Sequence, residues 1–228
     1  LGDKYENKVH VLHNCTDTRI FNTDNYKTFR DKLRKNYNIL PNETVIMYSG
    51  RIDETKGIRE LILAFKKIKN KDTKLIIIGG TWYGSNRKTD YLRELKDISS
   101  DIQDRIIITG FIPFADIPKY HAIADIAVVP SIWEEPAGLV VIEAMASGLP
   151  LIVTDSGGIL EYVNDESVIV INRNKDIINE LSKQISHLIN DKERRIELAR
   201  IGKKYAQTFN TKKYYDEFSK IVGDLVGE

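Results

Sequence analysis

Two glutamates that lie eight positions apart, Glu135 and Glu143, belong to the segment EEPAGLVVIEAMASGLP (134–150), in which most other side chains are apolar or small. From about Gly138 the segment is apolar on nearly all sides, which predicts a buried helix. An ionised carboxylate there is costly unless hydrogen-bond donors reach it. The two hydroxyls of a ribose ring could donate to Glu143. The alternative is a structural glutamate that pairs with a backbone amide or a basic side chain.

The start of this helix has the features of an anion site. Pro136 lacks an amide proton and suits a turn just before a helix. The amides of Ala137, Gly138 and Leu139 would then point out of the helix N-terminus, where backbone N–H groups bind phosphate. Glu135 would lie beside whatever group the phosphate carries. The alternative for Glu135 is a solvated loop acid.

A second group of candidate residues follows a predicted strand, in the segment SGRIDETKG (49–57). Arg51 can hold a phosphate through two N–H groups, and Lys56 adds a compact positive charge. The alternative is a pair of solvated cations beside Asp53 and Glu54. Both cations would lie on the same sheet edge as the helix start, which favours a site for a phosphorylated ligand.

Several common ligand motifs are absent from the sequence. The glycine pair in GGTWYGSN (79–86) does not begin a P-loop, because Ser85 and Asn86 stand where lysine and serine or threonine are required. GxGxxG and Asp-x-Asp do not occur, and the four histidines lack metal-ligand spacing. We therefore expect no nicotinamide-type cofactor and no metal ion.

The composition is that of an ordinary globular chain. It has 228 residues, 42% of them hydrophobic, and a net charge of +1 from 34 basic and 33 acidic side chains. This balance gives no electrostatic argument for nucleic acid as a partner. A single cysteine, Cys15, suits a reducing, cytoplasmic compartment. No apolar run approaches the ~18 residues of a membrane span, and the start at Leu1 in polar sequence suggests a fragment of a longer protein.

These candidate residues need a scaffold, and alternating strands and helices predict one. Strands that are apolar throughout are typical of a parallel sheet between two layers of helices. We predict an α/β fold, a doubly wound, Rossmann-like parallel sheet of about six strands, flanked by helices. The predicted strands cover residues 44–50, 74–80, 105–111, 125–130, 149–155 and 167–171. Ligands of such sheets bind beyond the carboxyl ends of the strands, where both groups of candidates fall.

The two ends of the chain have a different pattern. A short strand is predicted at 9–13 and a charged helix at 24–37. The segment 175–228 is predicted to be a helical tail with two apolar stripes. The first stripe lies between residues 177 and 189, and the second consists of Tyr214, Phe218, Ile221 and Leu225.

The ordered set of motifs resembles the donor-binding, C-terminal half of GT-B glycosyltransferases, specifically retaining glycosyltransferase family 4. SGRIDETKG resembles the family's G-R-x-x-x-x-K-G loop, and Glu135 to Glu143 resembles its E-x7-E element. VHVLHNCTDTRIF (9–21) resembles the family's interdomain hinge, although N-C-T-D replaces its usual N-G-V-D. Ala137 stands where the family often has phenylalanine. The core from ITGFIP (108–113) to TDSGG (154–158) follows the family's nucleotide-binding segment.

The resemblance implies a role for each candidate residue. Arg51 and Lys56 would hold the diphosphate of a nucleotide-sugar donor and stabilise it as leaving group, without a metal, and Glu135 would contact the donor sugar. These three residues form the implied catalytic set. Glu143 would accept the ribose hydroxyls, and the backbone near Phe111 and Ile112 would hold the base. The implied donor-binding set is Gly50, Gly80, Phe111, Ile112, Ala137, Gly138, Leu139 and Glu143.

The resemblance also implies a division of the chain. Residues 1–23 would be the interdomain hinge, 24–207 the donor-binding domain and 208–228 a C-terminal crossover helix, with an N-terminal acceptor domain outside this chain. The whole enzyme would transfer sugar to a glycan or lipid-linked acceptor in surface polysaccharide synthesis, in the cytoplasm, with peripheral association at the inner face of the membrane. This chain alone would turn over little. The alternatives are a non-catalytic sugar-nucleotide binding module and a GT-B-type epimerase.

Overall fold

The computed structural model describes residues 9–81 and 89–226. Its centre is a parallel sheet of six strands in the order β3-β2-β1-β4-β5-β6. The strands are Thr44–Ser49 (β1), Thr73–Ile78 (β2), Ile106–Gly110 (β3), Ile126–Val129 (β4), Leu151–Thr154 (β5) and Ile169–Ile171 (β6). The predicted doubly wound, Rossmann-like sheet is therefore confirmed. The strand order reverses between β1 and β4, where such sheets form a crevice at the carboxyl ends of the strands.

Eight α-helices in the described part of the chain flank or follow the sheet. They are Lys27–Asn36 (α1), Ile58–Lys66 (α2), Asp90–Ile98 (α3), Ile117–His121 (α4), Leu139–Ala146 (α5), Ile177–Asn190 (α6), Lys192–Ala206 (α7) and Thr211–Val226 (α8). Side chains of α2, α3 and α6 pack with one face of the sheet, and α5 packs with the other. Successive strand residues point to opposite faces, so Ile46 belongs to the first core and Met47 to the second.

One local prediction was wrong. Residues 9–13 form no strand, since no strand of the described chain pairs with them, and nearby Thr16 makes an isolated bridge with Asn210. At the end of the segment the His13 Nε2 lies 3.1 Å from Glu161 Oε2, and the next residue, Asn14, donates its amide to the Tyr162 hydroxyl at 3.1 Å. After β5, residues Gly157–Tyr162 form a 3-10 helix, which buries Ile159 and Tyr162, three residues apart.

The helical tail is confirmed, but its two apolar stripes differ in burial. Leu181, Ile185 and Leu188 of α6 are fully buried in the core under α2. By contrast α8 buries none of its residues, and Phe218 is 49% exposed. Within residues 9–81 and 89–226, no helix has the length and apolar character needed to cross a membrane.

A glycine contact joins the loop after β1 to the loop after β4. Gly57 has φ +66, and a Cβ atom there would lie 1.9 Å from the carbonyl oxygen of Pro130. The neighbouring amide of Ile132 donates to the Thr55 carbonyl at 3.0 Å. The two loops therefore meet backbone to backbone at the carboxyl edge of the sheet.

We predict that Gly57→Ala destabilises the fold more than Gly148→Ala. The two glycines have nearly the same φ, +66 and +70, but the nearest atom to a Cβ at 148 is the flexible Lys203 Cδ at 3.4 Å. Gly148→Ala should cost about 1–2 kcal/mol from backbone strain alone, and Gly57→Ala about 1–3 kcal/mol more from the clash. Urea unfolding of both variants measures the difference. Equal losses would contradict the tight loop contact.

Candidate functional site

Two adjoining cavities lie at the carboxyl ends of the strands. The Glu143 cavity, of about 410 Å³, is also lined by residues of the loops after β1, β2 and β3. The Glu135 cavity, of about 270 Å³, contains Lys56 and Ser131. Ser49, Gly50, Arg51, Leu139 and Val140 line both cavities. The two therefore form one cleft at the predicted edge of the sheet.

Glu143 is buried in α5 with its carboxylate toward the first cavity. The residue is 9% exposed, and burial raises the pKa of its carboxyl to about 7. Among residues 9–81 and 89–226 no group donates a hydrogen bond or forms an ion pair with this carboxylate. The alternative of a structural glutamate with a protein partner is therefore not found in the described part of the chain, and the carboxylate can accept from a ligand.

The N-terminus of α5 opens into the cleft. Gly138 is the N-cap, and the amides of Val141 and Ile142 donate to its carbonyl at 2.9 and 3.1 Å. In the part of the chain that the structure covers, the amides from Ala137 to Val140 have no acceptor. Ala137 and Leu139 line the cavities directly. The predicted helix start is confirmed, and its free N–H groups can hold an anion.

Lys56 and Glu135 form a close ion pair in the second cavity. The Lys56 Nζ donates to Glu135 Oε1 at 2.7 Å and to Oε2 at 2.8 Å. The Lys56 side chain is 20% exposed and that of Glu135 is 10% exposed. The Ser131 hydroxyl also donates to Glu135 Oε1. The alternatives of a solvated cation and a solvated loop acid are therefore wrong for these two residues.

Arg51 lies at the mouth of the cleft. Its Nε donates to Asp53 Oδ2 at 2.6 Å, and the side chain is 45% exposed. Burial alone would raise the pKa of Asp53, but hydrogen bonds from Thr55 and Arg51 outweigh it and leave that pKa below its ordinary value. Arg51 is therefore paired with Asp53, as the alternative of a solvated surface cation expected. It nevertheless lines both cavities, where a ligand could reach it.

The remaining predicted residues surround the Glu143 cavity. Gly50, Gly80, Phe111 and Ile112 all line it, and Phe111 is 40% exposed. Gly138 does not line either cavity and acts through its position at the helix start. Residues 82–88, which complete the loop after β2, lie outside the described residues.

Phe114 and Ser131 are among the cleft residues that the sequence did not predict. Phe114 lines the Glu143 cavity and is 57% exposed. Its signal was an apolar residue in the loop after β3, four residues past the strand end. Ser131 follows β4 closely, and a buried hydroxyl at the end of a strand was the only indication of its role.

The loop after β5 forms hydrogen bonds with the backbone of Glu135 and Ser131. The Gly158 amide donates to the Glu135 carbonyl at 2.6 Å. The hydroxyls of Thr154 and Ser156, both fully buried, each donate to the Ser131 carbonyl at 2.6 Å. A Cβ on Gly157 would lie 2.6 Å from the Glu135 carbonyl oxygen. The glycine pair 157–158 therefore allows this loop to hold the backbone of Ser131 and Glu135 in place.

The described residues contain no group of three or more His, Cys, Asp and Glu side chains that could hold a metal ion. The cations of the cleft and the start of α5 are then the positive groups available to an anionic ligand. The expectation that the ligand needs no metal stays a prediction.

The chain matches a known family over most of its length. The model described as "Glycosyl transferases group 1" matches residues 29–205, which include the whole cleft. The putative glycosyltransferase YtcC of Bacillus subtilis (strain 168) is 34% identical over 186 residues, which cover 80% of this chain and 45% of YtcC. The chain spans about half the length of the curated relatives that it matches.

Solved structures share the fold. Anabaena Alr3699/HepE, in a complex with UDP, superposes with a TM-score of 0.83 at 25% identity, covering 94% of this chain and 57% of that one. The C-terminal domain of LpcC, a glycosyl transferase group 1 family protein from Francisella tularensis, superposes with a TM-score of 0.70 at 27% identity. That alignment covers 85% of this chain and 97% of the LpcC domain.

We predict that Glu143→Gln stabilises the protein at pH 8 and not at pH 4.5. The folded state raises the pKa of this carboxyl from 4.5 to about 7, so folding favours the protonated form. The protonated Glu143 carboxyl makes its full contribution to stability below pH 4.5. As the pH rises through 7 this contribution is lost, and the free energy of unfolding falls by about 3 kcal/mol. Glutamine has no proton to lose, so the variant should gain up to about 3 kcal/mol over the wild type at pH 8.

Urea unfolding at both pH values measures this difference. Glu166→Gln is the control, because Glu166 is exposed and its substitution should change stability equally at pH 4.5 and 8. A Glu143→Gln effect that did not vary with pH would contradict the buried, unpaired carboxylate.

Proposed function

Because the chain belongs to the family of glycosyl transferases group 1, we propose that its cleft binds the nucleoside-diphosphate sugar of a retaining enzyme of glycosyltransferase family 4. The chain would be the donor-binding half of a GT-B fold. One observation carries the proposal: a buried carboxylate, a helix start and two cations converge on one sheet edge. Each of these groups suits a different part of such a donor.

The order of these groups along the cleft matches the order of groups in a nucleotide sugar. The base would lie against Phe111 and Ile112 in the Glu143 cavity, and the ribose hydroxyls would donate to Glu143. The diphosphate would then reach Arg51 and the start of α5, where both cavities meet. The sugar would lie in the Glu135 cavity. Alr3699/HepE, which shares the fold, was solved in complex with UDP, and this supports a nucleotide as the ligand.

The chemistry follows from the charges that develop during transfer. The bond from the anomeric carbon to the diphosphate breaks, and the departing oxygen takes the electron pair. Arg51, Lys56 and the amides at the start of α5 would stabilise this negative charge, in the role that a metal ion has in other transferases. The anomeric carbon becomes positive, and the acceptor hydroxyl oxygen would bond to it on the face that the diphosphate leaves, which retains the configuration. The hydroxyl proton would pass to the departing phosphate oxygen on that face.

The whole protein would need a second domain for its acceptor, since relatives are about twice as long as this chain. We propose a glycan or lipid-linked acceptor, a place in surface polysaccharide synthesis, and a cytoplasmic location with peripheral contact to the inner face of the membrane. In the longer relatives' arrangement, residues 208–228 would cross to that domain and 1–23 would be the hinge. This chain alone would bind the donor and transfer little.

Calorimetry with UDP, GDP, ADP and dTDP tests donor binding by the chain. At least one should bind, and Arg51→Met should weaken it about tenfold, since a hydrogen bond to a charged group contributes about 1.5–3 kcal/mol. Arg59→Met is the matched control. Arg59 is also 45% exposed and paired with a carboxylate, Glu94 at 2.9 Å, but it lies outside both cavities.

Two outcomes would contradict the proposal: no binding of any of the four diphosphates, or equal losses in the Arg51 and Arg59 variants. Product analysis of the full-length protein separates the alternatives. A glycosylated acceptor supports transfer, a free epimerised sugar indicates an epimerase, and donor binding without turnover indicates a binding module. Retention of the anomeric configuration in the product tests the mechanism.

We also predict that donor affinity rises with pH. With a pKa of about 7, Glu143 is about one-tenth ionised at pH 6 and about nine-tenths ionised at pH 8, and the ribose hydroxyls need the ionised acceptor. Affinity should rise about tenfold over this interval. The probe is a nucleotide sugar, in which both phosphates are esterified and keep a constant charge. Glu143→Gln should bind weakly with a flat pH profile, and a steep profile in that variant would count against the ribose contact.

A further inference from the structure

The ion pair between Lys56 and Glu135 occupies groups that the donor also needs. Lys56 has three N–H donors and directs them at both carboxylate oxygens of Glu135, at 2.7 and 2.8 Å. A diphosphate that takes this ammonium must share it with Glu135 or remove it. Binding of the diphosphate and integrity of the ion pair are therefore linked at one atom, Lys56 Nζ.

Glu135 cannot follow the lysine, because its backbone is fixed. Its carbonyl accepts from the Gly158 amide at 2.6 Å, and Ser131, which bonds its side chain, is held by Thr154 and Ser156. The Glu135 side chain is only 10% exposed. If Lys56 moved to a phosphate, the carboxylate would keep the Ser131 hydroxyl and little else. A buried carboxylate that loses its cation is strongly unfavourable.

The second ion pair at the site, Arg51 with Asp53, is easier to break. Arg51 and Asp53 are 45% and 27% exposed, and Asp53 also accepts from the Thr55 amide at 2.9 Å. Water and Thr55 can satisfy Asp53 when Arg51 leaves it, so breaking this pair costs little. The two cations of the cleft thus differ in how readily they can be released.

We propose that Glu135 and the donor exchange partners at Lys56, so that the diphosphate binds more tightly when it carries a sugar than when it is bare. The proposal rests on the proposed function and deepens it. When Lys56 turns toward the diphosphate, hydroxyls of the attached sugar donate to Glu135 and replace the lost ammonium. A bare nucleoside diphosphate offers no such donors and competes with Glu135 for the lysine.

The exchange has a consequence for turnover. After the sugar has moved to the acceptor, Glu135 loses its hydroxyl donors and takes back Lys56. The interaction that holds the diphosphate weakens at the step when it has become the product. The ion pair therefore favours release of the spent nucleotide and lowers product inhibition.

Calorimetry on the chain with Glu135→Gln tests the exchange. The probes are whichever of UDP, GDP, ADP and dTDP binds the wild type most tightly, and the glucose conjugate of that nucleotide. The neutral amide holds Lys56 less strongly, so the bare diphosphate should bind about five- to tenfold tighter than in the wild type. The advantage of the sugar conjugate over the bare diphosphate should shrink toward onefold.

Two further variants separate exchange from a general charge effect. Asp53→Asn removes one negative charge beside the cleft and keeps an acceptor for the Thr55 amide, and it should leave the ratio of the two affinities unchanged. In the Lys56→Met background, Glu135→Gln should no longer improve binding of the bare diphosphate, because there is no ammonium to release. Thermal unfolding of each variant verifies that it is folded.

The proposal is overturned if folded Glu135→Gln binds the bare diphosphate no more tightly than the wild type. It is also overturned if the improvement persists in the Lys56→Met background, which would show simple charge repulsion. If the wild type binds none of the four diphosphates, the proposed function itself fails, a result distinct from both.

Discussion

The cost of removing a carboxylate from water determines how this cleft is built. Glu135 and Glu143 are both nearly buried, but their hydrogen-bond partners differ. Glu135 receives a lysine and a serine hydroxyl, so its charge is compensated within the protein. Glu143 receives no such partner within the described residues, and its raised pKa is the result. The first arrangement fixes a charge in place, and the second leaves bonding capacity for something that enters the cleft.

Close contact between loops makes this arrangement possible. The loops after β1, β4 and β5 each come from a different strand, and they meet through backbone atoms at Gly57 and at the pair 157–158. Without those contacts Lys56, which is 79 residues from Glu135 in the chain, would have no fixed relation to it. The parallel sheet brings the strand ends to one edge. The glycines then let the loops approach closely enough for hydrogen bonds to form between them.

Much of the fold could be predicted from the sequence because its strongest signals are local. Runs such as KLIIIGG are apolar on both faces, and only a sheet covered on both sides accommodates several of them. The burial of Glu143 followed in the same way from the apolar residues around it. The strand predicted at 9–13 was wrong because a strand-like pattern says nothing about whether a partner strand is available. The Lys56–Glu135 pair could not be predicted, since it depends on side-chain directions in two loops distant in sequence. The functional roles came from the family resemblance, whereas the grouping of the residues came from the coordinates.

The carbonyl of Ser131 accepts two buried hydroxyls, those of Thr154 and Ser156. Neither hydroxyl-bearing residue lines either cavity, yet both determine where the backbone of the β4 loop lies. A substitution that removed either hydroxyl would release the Ser131 carbonyl and with it the backbone that leads to Glu135. Substitutions at Thr154 or Ser156 can thus alter the geometry of the cleft although neither side chain lines it.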